Sequence, residues 1–288
     1  MSVFTVIVTY NPDVSRLDAM LKSILLQVDK CVIVDNGSAE FCNLPERVHV
    51  ITLGNNYGIA YAQNRGIEYA LEKKADWILL SDQDTIYPSN YIKNLLTEGK
   101  QLTKVGCLVP VFYDEIKQSF GKICVTKTRA IIPEDDRIYE LAHAISSGTL
   151  ISSDVLRDVG LMNEKFFIDW VDNEWCWRVT KAGYKIYSPT NVKIKHQLGD
   201  GVVKIGKIKL TRRSVSRFYY ILRNGFYLLT TDLLNKTEKI LFGRFMCRKF
   251  IEYFFVEGLS IENINTAIKA VYNGLNGRFE NFTSGENK

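Results

Sequence analysis

The stretch Trp77-Ile-Leu-Leu-Ser-Asp-Gln-Asp-Thr85 constrains this chain most, because an apolar run leads into two carboxylates spaced one residue apart. Such a run reads as a buried strand whose carboxyl end brings Asp82 and Asp84 to the rim of a sheet, where open α/β folds hold their ligands. Along a strand, residues i and i+2 point to the same side, so both acids are expected on one face. Two hard oxygen donors suit Mg2+ or Mn2+, which bind through one or two carboxylates together with substrate phosphates. Asp-Gln-Asp-Thr also reads as a solvated turn before a helix cap, and by itself the stretch leaves both readings open.

The text on either side favours a layered α/β fold. Residues 3 to 9 are an apolar, β-branched run closed by Tyr10-Asn11-Pro12, a strand followed by a loop. Leu17, Met20, Leu21, Ile24 and Leu25 then share one helical face, with Ser15 as the expected N-cap. Strands are expected at 31 to 35, closed by Asn36-Gly37, and at 48 to 52. Asn55 to Gly58 leads into a helical stretch of 3.6-residue period from Ile59 to Leu71. Strands alternating with helices up to residue 85 indicate a mostly parallel sheet of nucleotide-binding type. Neither G-x-G-x-x-G after the first strand nor G-x-x-x-x-G-K-[ST] occurs, which removes the dinucleotide and P-loop fingerprints.

The totals add limits. With 46% hydrophobic residues in 288, the chain can bury a substantial core. The first ten residues carry no basic segment and read as a strand, so no secretion signal is expected. The six cysteines form no C-x-x-C pair, which fits reduced thiols in the cytosol, and no apolar run approaches the ~18 residues of a membrane helix. Further along, strands are expected between 106 and 132, a polar loop at 133 to 140, a short helix to about Val159, and short strands at 184 to 187 and 192 to 195. Beyond residue 210 the pattern is helical, with Phe218, Ile221, Leu222, Phe226, Leu229 and Leu233 on one face. Residues 201 to 260 carry twelve Lys or Arg against four acids, so the basic surplus is C-terminal.

A second cluster of chemistry lies at Phe166 to Arg178. Asp169, Asp172 and Glu174 stand there among Trp170, Trp175 and Trp177. Apolar surroundings raise carboxylate pKa values, which suits a general base that deprotonates a hydroxyl near neutral pH. The same letters also describe an amphipathic helix start, with acids near its positive end. His196, at the end of an expected strand, is a candidate imidazole for a metal already held by acids, or an ordinary hydrogen-bonded histidine.

Taken in order, these pieces resemble family 2 glycosyltransferases, the inverting enzymes of GT-A fold, and among them the bacterial rhamnosyltransferase-like members. Val-Thr-Tyr-Asn (8–11) is similar to the family's first nucleotide loop, and Val-Asp-Asn-Gly-Ser (34–38) to the segment with its base-contacting Asp. Asn56 to Gly66 resembles its N-x-G-x-A-x-x-x-N-x-G helix, Asp82-Gln-Asp84 its D-x-D motif, and Phe167 to Arg178 the acceptor motif whose base falls on Asp172. Galactofuranosyl-transferring members have a metal-ligating His about 24 residues after the base, and His196 holds that place. The resemblance covers roughly residues 3 to 225.

It implies an α/β fold with a mostly parallel central sheet flanked by helices: a GT-A domain over 1–205, with a nucleotide half to about 105 and an acceptor half after it. A basic, aromatic helical region would follow over 206–288. It implies Asp172 as catalytic base, and Thr9, Tyr10, Asn11, Asp35, Asn36, Asn64, Asp82 and Gln83 on the sugar nucleotide. Gly148, Asp169, Trp170, Glu174 and Arg223 would face acceptor or sugar, with Gly148 admitting a sugar close to backbone. Asp82, Asp84 and His196 would hold Mg2+ or Mn2+. The expected donor is dTDP-L-rhamnose, with a UDP-hexose or UDP-galactofuranose as alternative, and the acceptor a saccharide or polyprenyl-diphosphate-linked saccharide of surface polysaccharide such as O-antigen. Such an enzyme would be cytoplasmic and peripheral on an anionic membrane, bound through the basic residues of 201 to 260 and aromatics such as Phe218, Tyr219, Tyr220, Phe242, Tyr253 and Phe255. A nucleic-acid-binding protein would use the basic stretch but leave both acidic motifs idle. A nucleotidyltransferase would need a phosphate-gripping cation after the first strand, and Thr9 to Asp13 has none.

Overall fold

The apolar runs at 3–9, 31–35 and 77–81 become strands buried along almost their whole length. The computed structural model describes residues 1–39, 44–114, 119–134, 136–195, 202–205, 208–211 and 213–282. In order come β1 (Val3–Thr9), α1 (Val14–Ile24), β2 (Lys30–Asp35), β3 (Val48–Thr52), α2 (Ile59–Glu72), β4 (Trp77–Ser81) and α3 (Tyr91–Gly99). Next are β5 (Val105–Leu108), β6 (Val111–Asp114), β7 (Ser119–Phe120), β8 (Ile123–Thr126), β9 (Arg129–Ile131), β10 (Ile138–Leu141), β11 (Thr149–Ser152), α4 (Ser153–Val159), α5 (Val171–Lys181), β12 (Lys185–Pro189) and β13 (Lys193–Lys195). The remainder is β14 (Val202–Ile205), β15 (Ile208–Thr211), α6 (Val215–Thr230), α7 (Lys236–Glu257) and α8 (Ile261–Leu275). Two compact units result, one of residues 1–164 and 175–197, the other of residues 165–174 and 198–288.

The first unit is built on an eight-stranded sheet of order β10-β12-β5-β11-β4-β1-β2-β3. β1 pairs in parallel with β2 and β4, and β2 in parallel with β3, while β11 runs antiparallel to both β4 and β5. The sheet is thus mostly parallel, with helices packed on it, as continuous burial of β1, β2 and β4 demands. α1 buries Leu17, Met20, Leu21 and Ile24. Its cap is Asp13 rather than Ser15: Asp13 Oδ1 accepts the Arg16 N–H at 3.0 Å, the reach an N-cap needs, and Ser15 donates its hydroxyl to the same oxygen. The polar text expected as a loop to residue 140 contains β10, an edge strand antiparallel to β12; with one side open, an edge tolerates charged residues.

In the second unit α6 packs against both α7 and α8. This is why its burial departs from the single expected face. Phe218 through Gly225 are all buried, whereas Phe226 and Leu229 are half-buried and Leu233 lies beyond the helix end. Among the described residues no helix is long and apolar enough to cross a membrane, and Cys31, Cys107, Cys124, Cys176 and Cys247 are free thiols.

Candidate active site

Parallel pairing brings the carboxyl ends of β1, β2 and β4 to one edge of the first unit's sheet, and with them the loops after Thr9, Asp35 and Ser81. Because β11 runs the other way, Ser147 and Gly148, just before its start, join the same edge, where Gly148 N–H bonds to the Leu80 carbonyl at 2.8 Å. The loops are tied together. Gln83 Oε1 accepts the Tyr10 N–H, and Asn11 exchanges bonds with Ser38 and Ala39. Asn36 accepts from Tyr57 N–H and donates to Asn56 Oδ1. At Gly37, φ is +88° and a Cβ would stand 2.5 Å from the Asn55 backbone, so only glycine lets these two loops meet.

Asp35 is buried, with Oδ1 accepting the Thr9 and Ser38 hydroxyls and Oδ2 accepting the Ser38 N–H. Oδ2 thereby keeps one acceptor position. Tyr10 and Asn11 are exposed.

Asp82 and Asp84 lie past the end of β4 in a turn, both exposed. The expected strand alternation therefore does not govern where they point. Two carboxylates in an exposed turn match the donor chemistry of an ion that takes its remaining ligands from phosphate and water. His196 lies outside the described residues, and the described ones contain no cluster of three or more metal-ligating side chains. The turn is braced from beneath: Ser147 Oγ accepts the Asp82 N–H and bonds Thr85 Oγ1, while the Tyr87 hydroxyl donates to Ser81 Oγ at 2.7 Å. Burial pushes the Tyr87 hydroxyl well above its usual range, with the Asp82 charge adding to the shift and the Ser81 bond opposing it, so Tyr87 remains a donor.

Several residues expected to touch the donor or the sugar are engaged inside the protein instead. Thr9 is wholly buried and serves Asp35. Asn64, also buried, spends its amide on the Met162 backbone and Glu164. At Gly148 φ is +81°, and a Cβ would press on Pro110, the Tyr91 hydroxyl and Ile194, so packing within the unit, not a close-approaching sugar, requires glycine there. Tyr91 also donates its hydroxyl to the Gly148 carbonyl.

In the second unit, Asp169 and Trp170 form a turn before α5, and both have positive φ, +62° and +66°. Each such residue costs on the order of 1–3 kcal/mol. The Asp169 carboxylate is paired with Arg213 and Arg217 at 3.4 and 3.2 Å. Trp170 packs edge-on against Phe242 and Phe245. Asp172 and Glu174 follow in the first turn of α5, near the positive end of its dipole, Asp172 partly accessible and Glu174 buried. Arg223, expected on a sugar, has no accessible surface. Its guanidinium donates to the carbonyls of Lys165 and Glu280 and to Asn224, and burial lowers its pKa from the usual value. It ties segments of this unit together and does not present donors to a ligand. No site role was expected of Ser38, Asn56, Ser147 or Asn224: the first three sit inside or beside recognised motifs, and Asn224 stands in the Arg223-Asn224 pair that resembles rhamnosyltransferases, where only Arg223 was expected at the sugar.

Residues 4–160 match the Glycosyl transferase family 2 profile. The chain is 36% identical over 257 residues to dTDP-rhamnosyl transferase RfbF of Shigella flexneri, covering 84% of this chain and 86% of that protein. It is 24% identical over 174 residues to the low-salt glycan biosynthesis hexosyltransferase Agl10 of Haloferax volcanii, covering 55% and 56% of the two chains. Among solved structures, GalNAc-T7 with UDP, GalNAc and Mn2+ superposes with a TM-score of 0.58 at 14% identity, over 85% of this chain and 54% of that one. S. aureus TarS 1-349 superposes with a TM-score of 0.58 at 14% identity, over 97% of this chain and 82% of that one. Family profile, relatives and architecture agree: the chain belongs to glycosyl transferase family 2 and has the GT-A fold.

Proposed function

We propose that this glycosyltransferase moves L-rhamnose from dTDP-L-rhamnose, with inversion, to a saccharide or polyprenyl-diphosphate-linked saccharide of a surface polysaccharide. The observation that carries the reading is 36% identity to a dTDP-rhamnosyl transferase over 84% of the chain. Asp172 takes the proton from an acceptor hydroxyl as its oxygen attacks the anomeric carbon opposite the leaving dTDP, a single displacement that inverts configuration. Glu174 and Asp169 flank that acid in the acceptor motif. Asp35 accepts a hydrogen bond from the thymine imide through the free position of Oδ2, and Tyr10, Asn11, Asn36 and Gln83 border the nucleotide.

Asp82, Asp84 and His196 would hold a Mg2+ or Mn2+ ion. A cation held by them would supply positive charge against the leaving diphosphate.

The protein works at the cytoplasmic face of an anionic membrane. Support comes from one side of α7, where Ile240, Leu241, Ile251 and Phe255 are exposed beside exposed Arg244 and Arg248. α8 adds exposed Ile261, Ile264, Ile268, Tyr272 and Leu275. The rings of Phe218, Tyr219, Tyr220, Phe242 and Tyr253, expected to meet lipid, are core residues and take no part.

The test of the chemistry is Asp172→Asn. It keeps the shape but cannot accept a proton, so transfer should vanish while dTDP affinity stays within a few-fold. Near-normal kcat in Asp172→Asn, with loss in Asp169→Asn, would move the base to Asp169.

A further inference from the structure

The turn at residues 168–170 adopts a backbone its sequence disfavours, since two consecutive non-glycine residues, one a tryptophan, lie at positive φ. Such a turn persists only where its surroundings overdetermine it. The ties come from α6 and from Arg213 just before it. Asn224, wholly buried, donates its amide hydrogens to the Ile168 carbonyl at 2.9 Å and the Asp169 carbonyl at 3.0 Å. Its Oδ1 accepts from Arg223 Nε at 2.9 Å, which fixes the orientation of the amide. Trp170 Nε1 donates to the Ile221 carbonyl at 3.0 Å, and Arg213 and Arg217 hold the Asp169 carboxylate.

The ties reach beyond the turn itself. α5 opens at Val171, and the Glu174 N–H bonds back to the Trp170 carbonyl at 3.0 Å, so the first helical turn is built directly on residue 170. Asp172 stands within that turn. An apolar residue shaped like Asn224 would fill the same space but leave two carbonyls without donors.

We propose that Asn224 is a positioning residue for Asp172: its amide clamps the strained 168–170 turn and so fixes the start of the helix that carries the base. Arg217 supports the same turn from its accessible side through Asp169. The inference rests on Asp172 being the base.

The experiment compares full-length wild type, Asn224→Ser, Arg217→Gln, Arg217→Lys and Asp172→Asn. For each, kcat and KM for dTDP-L-rhamnose turnover, the pH profile of kcat, dTDP affinity by calorimetry and the melting temperature are measured. Asn224→Ser is expected to lower kcat about 10- to 100-fold and to shift the acid limb of the profile, with KM and dTDP affinity within about two-fold. Arg217→Gln should show a smaller loss of the same kind, largely restored in Arg217→Lys. Wild-type kcat and pH profile in a folded Asn224→Ser, beside an inactive Asp172→Asn, would overturn the positioning role alone. Wild-type turnover in Asp172→Asn would overturn the base assignment and this inference with it. Should Asn224→Ser fail to fold, the Arg217 pair decides, and wild-type kcat in Arg217→Gln counts against the proposal.

Discussion

Asn64 and Met162 hold each other by both polar ends: Asn64 Nδ2 donates to the Met162 carbonyl and Asn64 Oδ1 accepts the Met162 N–H, each at 2.9 Å. The pair joins α2 to the segment after α4, and both residues are buried. Replacing Asn64 with Ala strands a buried donor and acceptor, a loss of about 2–3 kcal/mol. Urea unfolding should show that loss, with dTDP affinity unchanged within about two-fold. An affinity loss without a stability loss would return Asn64 to the donor site.

His143 should make stability fall in mild acid. Its Nδ1 accepts the Trp177 Nε1–H at 3.2 Å, and burial of the ring lowers its pKa to about 4 from 6.5. The unfolded chain binds a proton near pH 6.5 that the folded ring refuses, so stability is complete above that pH and drains away as pH falls toward 4. The loss amounts to at most about 3 kcal/mol. His143→Gln offers Trp177 an acceptor that does not titrate, and its unfolding free energy should be flatter than that of wild type between those pH values. Parallel curves would refute the assignment.

The elements near the N-terminus were legible because each apolar run is short, continuous and closed by turn residues, and the sheet edge that gathers Tyr10, Asn36 and Asp82 follows from their parallel order. Roles were harder to read than positions. Asn64, Gly148 and Arg223 are residue types that bind ligands, yet here a backbone clamp, a packing constraint and a buried tie account for them. Sequence spacing cannot separate these uses, because a buried partner about 100 positions away, as Met162 is to Asn64, leaves no local trace. The clamp of Asn224 on residue 168, 56 positions away, leaves no local trace either.

Chelation and Asp84→Ala should act alike. If Asp82 and Asp84 hold the cation, excess chelator abolishes turnover, added Mn2+ or Mg2+ restores it in wild type, and neither ion restores Asp84→Ala. The exposed turn position of Asp84 makes the variant's melting temperature the same as wild type within a degree or two. Full turnover in chelator would remove the metal from the mechanism.

Vesicle co-sedimentation tests the membrane surface. Each cation facing anionic lipid contributes about 1 kcal/mol, so binding should be seen with anionic vesicles at low salt, fade at high salt, and weaken in Arg244→Glu/Arg248→Glu. Lys249 is a poorer choice for reversal, since Glu252 already pairs with it at 2.8 Å. Phe255→Ser should weaken binding without lowering stability, because the ring is exposed. Equal recovery with neutral and anionic vesicles, unchanged by the charge reversal, would rule this surface out.

Steady-state turnover of a panel of sugar nucleotides, in Mn2+ and in chelator, decides which donor this enzyme uses. dTDP-L-rhamnose is expected to have the highest kcat/KM, with turnover that requires the cation. A higher kcat/KM for UDP-glucose, UDP-galactose or UDP-galactofuranose than for dTDP-L-rhamnose would make rhamnose the wrong sugar.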